Sequence, residues 1–248
     1  MTSPRPHFFT TDDIAALRAE VALESSASSI SSMNDVEVYK FLVAANNDRA
    51  AATKRIATSL AWRREFDLDA AIKGDYSDLK KLGKLYLLPQ PSKDGRAVMV
   101  WRSRCHMPGT DAELDHLMRF FVDTVYGRWK RGEGSDRIYV IVTREGAESK
   151  HRDLAMARRL ASTFNGNFPE TLDKCIVYPT GWLVSGIWAF LKPFLDPLTV
   201  DKVVFTGEAE AKDTLQGLID VDTLPTSMGG TWTGEPEGVD PEQVALAL

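Results

Sequence analysis

Cysteine is nearly missing from this chain. Two cysteines, Cys105 and Cys175, stand among 248 residues, which excludes a disulfide framework and the paired ligand spacing of a structural zinc site. A reducing compartment is the default expectation. Histidine is sparse as well: His7, His106, His116 and His151 are scattered. Cys105-His106 with His116 offers three donors, but no fourth stands at a recognisable ligand spacing, so no metal is expected. Basic charge is not in excess. Lys and Arg number 30 against 35 Asp and Glu, a net charge of −5, which argues against nucleic acid because phosphate binding relies on clustered cations. A local basic patch remains compatible with that balance.

Long hydrophobic runs are also lacking. The opening MTSPRPHFFTTDD has no apolar core of signal-peptide length. No later stretch reaches the roughly 20 apolar residues that a membrane-spanning helix needs. A soluble, cytoplasmic protein is expected. Catalytic motifs are missing too. No G-x-G-x-x-G follows a strand pattern and there is no phosphate loop. The segment Gly181 to Gly186 lacks the G-x-S-x-G order, so Ser185 reads as a small residue that lets a helix pack closely. No nucleophile, base and oxyanion hole come together, and neither an enzyme nor a cofactor is expected.

What the chain does have is one very apolar stretch, Gly181 to Asp201 (GWLVSGIWAFLKPFLDPLTVD). Read as a helix from Trp182 to Leu195, it is apolar on nearly every side, interrupted only by Ser185 and Lys192. Such a helix is normally buried or membrane-spanning, and this one is too short to span. A third possibility is a helix with one face over a lipid-filled hollow and the other able to meet a membrane. Gly181 and Gly186 at one end, with Pro193 and Pro197 at the other, are places where it could hinge.

Around it the pattern divides. Residues 1–33 read as a tail and linker, with a first helix through Ile14, Leu17 and Val21 and a Ser-rich linker over Ser25 to Ser32. Residues 34–83 read as a helical subdomain: Val38, Phe41, Leu42 and Ala45 fall at helical spacing, and Asp48 can cap a further helix carrying Ala52, Ile56 and Leu60. From 84 to 234, short β-rich runs at Ala97 to Trp101, Ile138 to Thr143, Cys175 to Tyr178 and Lys202 to Thr206 alternate with helical patterns. Those helical patterns cover Asp111 to Trp129, His151 to Phe164, the Trp182 helix and Glu208 to Leu218. The alternation argues for an α/β fold with a largely parallel sheet. Residues 235–248 read as a loose acidic tail. Phe120, Phe121, Val125, Ile138, Val140, Val142, Ile176 and Val204 are available to line a cavity between helices and sheet. A solid core made of the same residues is equally compatible with the periodicity.

Lys192-Pro193-Phe194-Leu195-Asp196-Pro197, followed by Thr199 and Lys202, resembles the gate-helix end of the CRAL-TRIO lipid-binding domain. Further elements resemble the family in the same order. Phe41-Leu42 and Trp62-Arg63-Arg64 are similar to its N-terminal helical segment, and Asp94-Gly95-Arg96 to its D-G-R-P-V turn. Phe168-Pro169-Glu170 is similar to its Y-P-E, and Leu224-Pro225 with Gly229-Gly230 to its closing L-P-x-x-x-G-G. The resemblance runs from about Val36 to Trp232. It implies a helical subdomain followed by a mixed, largely parallel sheet flanked by helices that form a lipid pocket. It also implies a gate made by Trp182, Leu183, Ile187, Trp188, Phe190, Leu191 and Phe194. Shielding an acyl chain fits the physics: at about 0.8 kcal/mol per methylene, a ~16-carbon tail in water faces a barrier on the order of 12 kcal/mol.

The resemblance also implies a headgroup site at Glu170, Thr199 and Lys202, where Thr199 and Lys202 would meet a phosphate. An ion pair between Glu170 and Lys202 is the structural alternative. Two basic positions of the phosphatidylinositol-binding members are Ala45 and Thr171 here, and positions that serve phosphatidylcholine are Ile138, Val140 and Phe164. Phe164 therefore joins the expected pocket lining, and Ile138 and Val140 offer no axial ligand for haem. The implied ligand is phosphatidylinositol or another phospholipid, with a sterol or isoprenoid as the alternative. Exchange at a transiently contacted membrane surface is expected, without covalent chemistry. The competing expectation is a lipid-sensing regulatory or protein-interaction module, whose protein partner the sequence does not identify.

Overall fold

The computed structural model describes residues 10–24, 30–180 and 182–239, with the side chains of 24 and 182–185 outside the described set. The chain forms two compact units, one from the described residues of Met1–Leu68 with Gly166–Glu170, the other from Asp69–Asn165 with Thr171–Leu248.

The first unit is helical: α1 (Thr11–Glu24), α2 (Asp35–Ala44) and α3 (Arg49–Glu65). Asn34 starts α2 with a capping box, its side chain accepting from the Glu37 amide at 3.0 Å while its own amide donates to Glu37 Oε2 at 2.9 Å. Asp48 caps α3 by accepting from the Ala51 amide at 3.0 Å. Ile14, Leu17 and Val21 pack with Val38, Phe41, Leu42, Ile56 and Leu60 in one core, so this unit takes in residues that patterning assigned to a tail. The expected linker is not loose where it is described. Ile30 and Met33 are buried, and Arg18 donates to the Ile30 and Met33 carbonyls and to Asp35. Ser25 to Ser29 lie outside the described residues. The segment Gly166–Glu170 joins this unit through Arg63, which pairs with Glu37 Oε1 at 2.8 Å and donates from Nη2 to the Asn167 carbonyl at 3.4 Å, and through Trp62, which meets Phe168 edge-on at 5.8 Å.

The second unit is built on a five-stranded mixed sheet ordered β1 (Leu85–Leu87), β2 (Ala97–Arg102), β3 (Ile138–Thr143), β4 (Leu172–Tyr178) and β5 (Val203–Phe205). β1 is antiparallel to β2 and the remaining pairs are parallel. The helices are α4 (Asp111–Val122), α5 (Leu154–Asn167, whose end enters the first unit), α6 (Trp182–Leu191), α7 (Pro197–Asp201) and α8 (Glu208–Leu218). A Thr110–Glu113 capping box starts α4, and α4 runs on through a π turn at Asp123–Gly127. Strands β2 to β5 step across the sheet in one direction. Right-handed crossovers therefore put α4, α5 and α6–α7 on one face. Two ring contacts agree: Trp101 of β2 with Phe121 of α4 at 5.3 Å, and Trp188 of α6 with Phe205 of β5 at 5.1 Å.

The opposite face is a closed core. Val98, Val100, Tyr139, Ile141, Ile176 and Tyr178 pack against Ala211 and Leu215 of α8, with Leu224 and Met228 behind it. The segment after Gly234 is not the loose tail that its composition predicts. Glu235 accepts from the Tyr86 hydroxyl at 2.6 Å, from Arg102 Nη1 at 3.3 Å and from Ser227 at 2.7 Å, and the Val239 amide reaches the Leu82 carbonyl. Residues 240–248 lie outside the described set.

Candidate functional site

Register decides which side chains share the helix-covered face. Val140 pairs with Cys175 and Cys175 with Val203, while Ile141 pairs with Ile176 and Ile176 with Val204. Side chains alternate along a strand and cross-strand partners share a face. The face under α4–α6 thus carries Met99, Trp101, Ile138, Val140, Val142, Cys175, Val177, Val203 and Phe205. Ile176 and Val204, expected in the cavity lining, point to the α8 side instead, and Ile176 is buried in that core. Phe120 and Phe121 also part company. Phe121 meets Trp101, whereas Phe120, about 100° around the helix, stacks on Tyr76 at 5.4 Å.

Burial falls away across this face. On β2 Met99 and Trp101 are 4% and 6% exposed, Ile138 at the start of β3 is 2% exposed, and Phe121 over Trp101 is buried. Toward the other edge Val140, Val142, Cys175, Val177 and Val203 are only half-buried, and Phe205 is 36% exposed. Their immediate neighbours on the opposite face, Ile141 and Ile176, are 0% and 1% exposed. The helical layer therefore seals the sheet at one side and stands off it at the other. Cys175 lies among these half-buried positions, and burial pushes its thiol up to about 12. Leu154, Ala157, Ala161 and Phe164 on α5 form a half-buried stripe at helical spacing.

The stretch around α6 is not a core helix. Among the described side chains from Gly186 to Phe194 none is buried: Ile187, Trp188 and Leu191 are half-buried, and Ala189, Phe190 and Phe194 are exposed. The α-helix ends at Leu191 rather than Leu195 and tightens to a 3₁₀ turn over Lys192–Phe194, because Pro193 has no N–H to continue the ladder. Phe190 and Phe194 contact each other at 5.7 Å, and the Arg158 guanidinium lies 4.9 Å over the Phe194 ring. With Leu198 they leave an apolar patch facing out. An open groove of ≈ 580 Å³ beyond it is lined by Ala189, Lys192, Pro193, Leu195, Pro197, Val200 and Asp201. The expected gate residues Trp182 and Leu183, and Ser185, have side chains outside the described set, as does the Gly181 hinge.

Of the expected headgroup residues, Thr199 and Lys202 lie together at α7. Asp196 caps that helix: its carboxylate accepts from the Thr199 amide at 2.8 Å and from the Thr199 hydroxyl at 2.9 Å. The hydroxyl proton is thus already committed, and a phosphate would have to draw it from Asp196. Lys202 is half-buried, and its carbonyl accepts from the Cys175 amide at 2.9 Å. Glu170 belongs to the first unit and adopts the left-handed conformation at φ 53°. The histidines are dispersed, His106 against Asp153 at 3.0 Å and His116 against Asp78 at 2.9 Å. Among the described residues no group of His, Cys, Asp or Glu is arranged to hold a metal ion, and no helix is long and apolar enough to cross a membrane.

Residues 80–230 match the profile of the CRAL/TRIO domain. The chain belongs to the CRAL/TRIO domain family. Among its relatives is the phosphatidylinositol transfer protein CSR1 of Eremothecium gossypii, 24% identical over 206 residues, covering 78% of this chain and 46% of that protein. The phosphatidylinositol/phosphatidylcholine transfer protein SFH4 of Arabidopsis thaliana is 26% identical over 223 residues, covering 81% of this chain and 36% of that protein. This CRAL/TRIO chain spans about half the length of the curated relatives it matches, 45% and 57% of two from Schizosaccharomyces pombe. The crystal structure of Sfh5 shares its fold, with a TM-score of 0.63 at 13% identity over 97% of this chain and 98% of that one.

Proposed function

We propose that this CRAL/TRIO chain is a soluble carrier that shields one hydrophobic lipid, a phospholipid such as phosphatidylinositol in the first instance, and exchanges it at membrane surfaces. The observation that carries the reading is the contrast between the two faces of one sheet. The α8 face is packed closed, while the face beneath α6 leaves Val140, Val142, Cys175 and Val177 half-buried under a helical roof. Water in such an apolar hollow is poorly held, and a hydrocarbon chain gains about 0.8 kcal/mol per methylene by replacing it.

In this reading α6 is the gate, with Trp188 resting on Phe205 at the open edge and Phe190 and Phe194 presented outward to partition into a membrane interface. Lys202 and Thr199 meet the headgroup once Thr199 turns from Asp196. The protein works at the cytoplasmic surface of membranes, attached only in passing, and makes or breaks no covalent bond. The family's phosphatidylinositol transfer members support a lipid cargo; its identity rests on the residues above.

Transfer of labelled lipids from donor to acceptor vesicles tests this directly. Catalysed transfer of at least one lipid class is expected. Folded protein that moves none would favour a lipid-sensing or protein-interaction module over a carrier.

A further inference from the structure

Strand β3 ends at Thr143, but its ladder runs one residue further, because the Arg144 amide donates to the Tyr178 carbonyl at 2.7 Å. Alternation then carries Arg144 onto the face of Val140 and Val142, at the carboxyl end of the recess wall. The side chain is half-buried there, and burial holds its guanidinium below the usual arginine range with no neighbouring charge to offset it. Among the described residues it makes no ion pair and no side-chain hydrogen bond.

The buried arginines among the described residues are matched. Arg63 has Glu37, Arg102 has the Gly83 and Pro236 carbonyls with Glu235, and Arg128 has the Glu133 and Ser135 carbonyls at 2.7 Å. A partly desolvated cation left unpaired gains from a ligand that supplies the counter-charge. The planar guanidinium fork suits a two-oxygen acceptor, carboxylate or phosphate.

We propose that Arg144 binds an oxyanion carried by the lipid in the recess, anchoring the ligand at the carboxyl end of the sheet. This locus differs from the one at Lys202. Lys202 precedes β5, and its carbonyl bonds the Cys175 amide opposite Val140. Arg144 lies four residues beyond Val140, roughly 13 Å along the strand, so the two cations are anchored at separate points of the sheet. The ligand class is therefore a lipid with an acidic group at this end, whatever occupies the other.

The inference rests on the lipid-carrier reading, and paired probes separate the two. Lipid-stripped full-length chain is titrated with oleate against methyl oleate, and with phosphatidate against diacylglycerol of the same acyl chains. In at least one pair the acid should bind about tenfold or more tightly than its neutral partner, as a charge-assisted bond implies. Which pair shows the preference tells carboxylate from phosphate. Arg144→Gln and Arg144→Met should each erase the preference while leaving the affinity for the neutral lipid in place, and Arg144→Lys should keep part of it. Neutral and acidic partners bound equally by the unaltered protein, or a preference that survives loss of Arg144, overturns this inference and leaves the carrier reading standing. Failure to bind any of the four lipids overturns both.

Discussion

Val100 and Val142 test the recess with the same substitution on two faces. They sit one register step apart on neighbouring strands, Val100 opposite Ile141 and Val142 opposite Trp101. Val100 is 0% exposed in the α8-side core, whereas Val142 is half-buried on the helix-covered face. Valine to alanine removes about two methylene equivalents, ~1.6 kcal/mol of transfer free energy when fully buried. At Val100 the residual void adds to that, for a total of about 2–3 kcal/mol. At Val142 about half of the transfer term applies and no sealed void is created, so the cost is ~0.8 kcal/mol. In urea, with slopes of about 1–3 kcal/mol per molar, the midpoints of lipid-stripped Val100→Ala and Val142→Ala should differ by roughly 0.4–2 M. Added lipid should raise the midpoint of Val100→Ala as much as that of the parent chain, and that of Val142→Ala by less. Equal destabilisation by the two substitutions would show that the face beneath α6 is as solid as the α8 side, and the reasoning would fail.

Replacing Trp188 and Phe190 together with Ala should slow vesicle-to-vesicle exchange several-fold with little change in melting temperature, because neither side chain is buried; unfolding as the dominant effect would make α6 a structural element and not a gate. Lys202→Ala should weaken binding of an anionic phospholipid about tenfold, the worth of one charge-assisted contact, and leave a neutral isoprenoid unaffected. Equal loss for both ligands would remove Lys202 from the headgroup site.

Much of the architecture is written in local patterning. The run Ile138-Tyr139-Val140-Ile141-Val142-Thr143 is β-branched and aromatic from end to end, and it forms β3 over those same residues; the helix from Glu208 to Leu218 is likewise where its spacing puts it. β1 is only three residues long and depends on pairing with β2, so it has no pattern of its own. The facing of β4 and β5 is hidden for a different reason. Cys175-Ile176-Val177 and Val203-Val204-Phe205 are apolar on both sides, so alternation carries no sign, and only register shows that Cys175, Val177, Val203 and Phe205 face the helices. The ordering of Ile30 to Met33 and of the Glu235 segment depends on long-range partners, Arg18 in one case and Tyr86 with Arg102 in the other. Composition alone reads both stretches as loose. The unpartnered state of Arg144 has no sequence signature, since an arginine just past a strand is ordinarily solvated or paired.

Organic extraction of the purified protein followed by mass spectrometry bears most directly on whether the recess is a lipid site. An enclosed ligand should survive purification, and close to one lipid per chain, of a single class, is predicted. An extract holding no more lipid than that of a non-lipid-binding protein purified alongside would contradict the account.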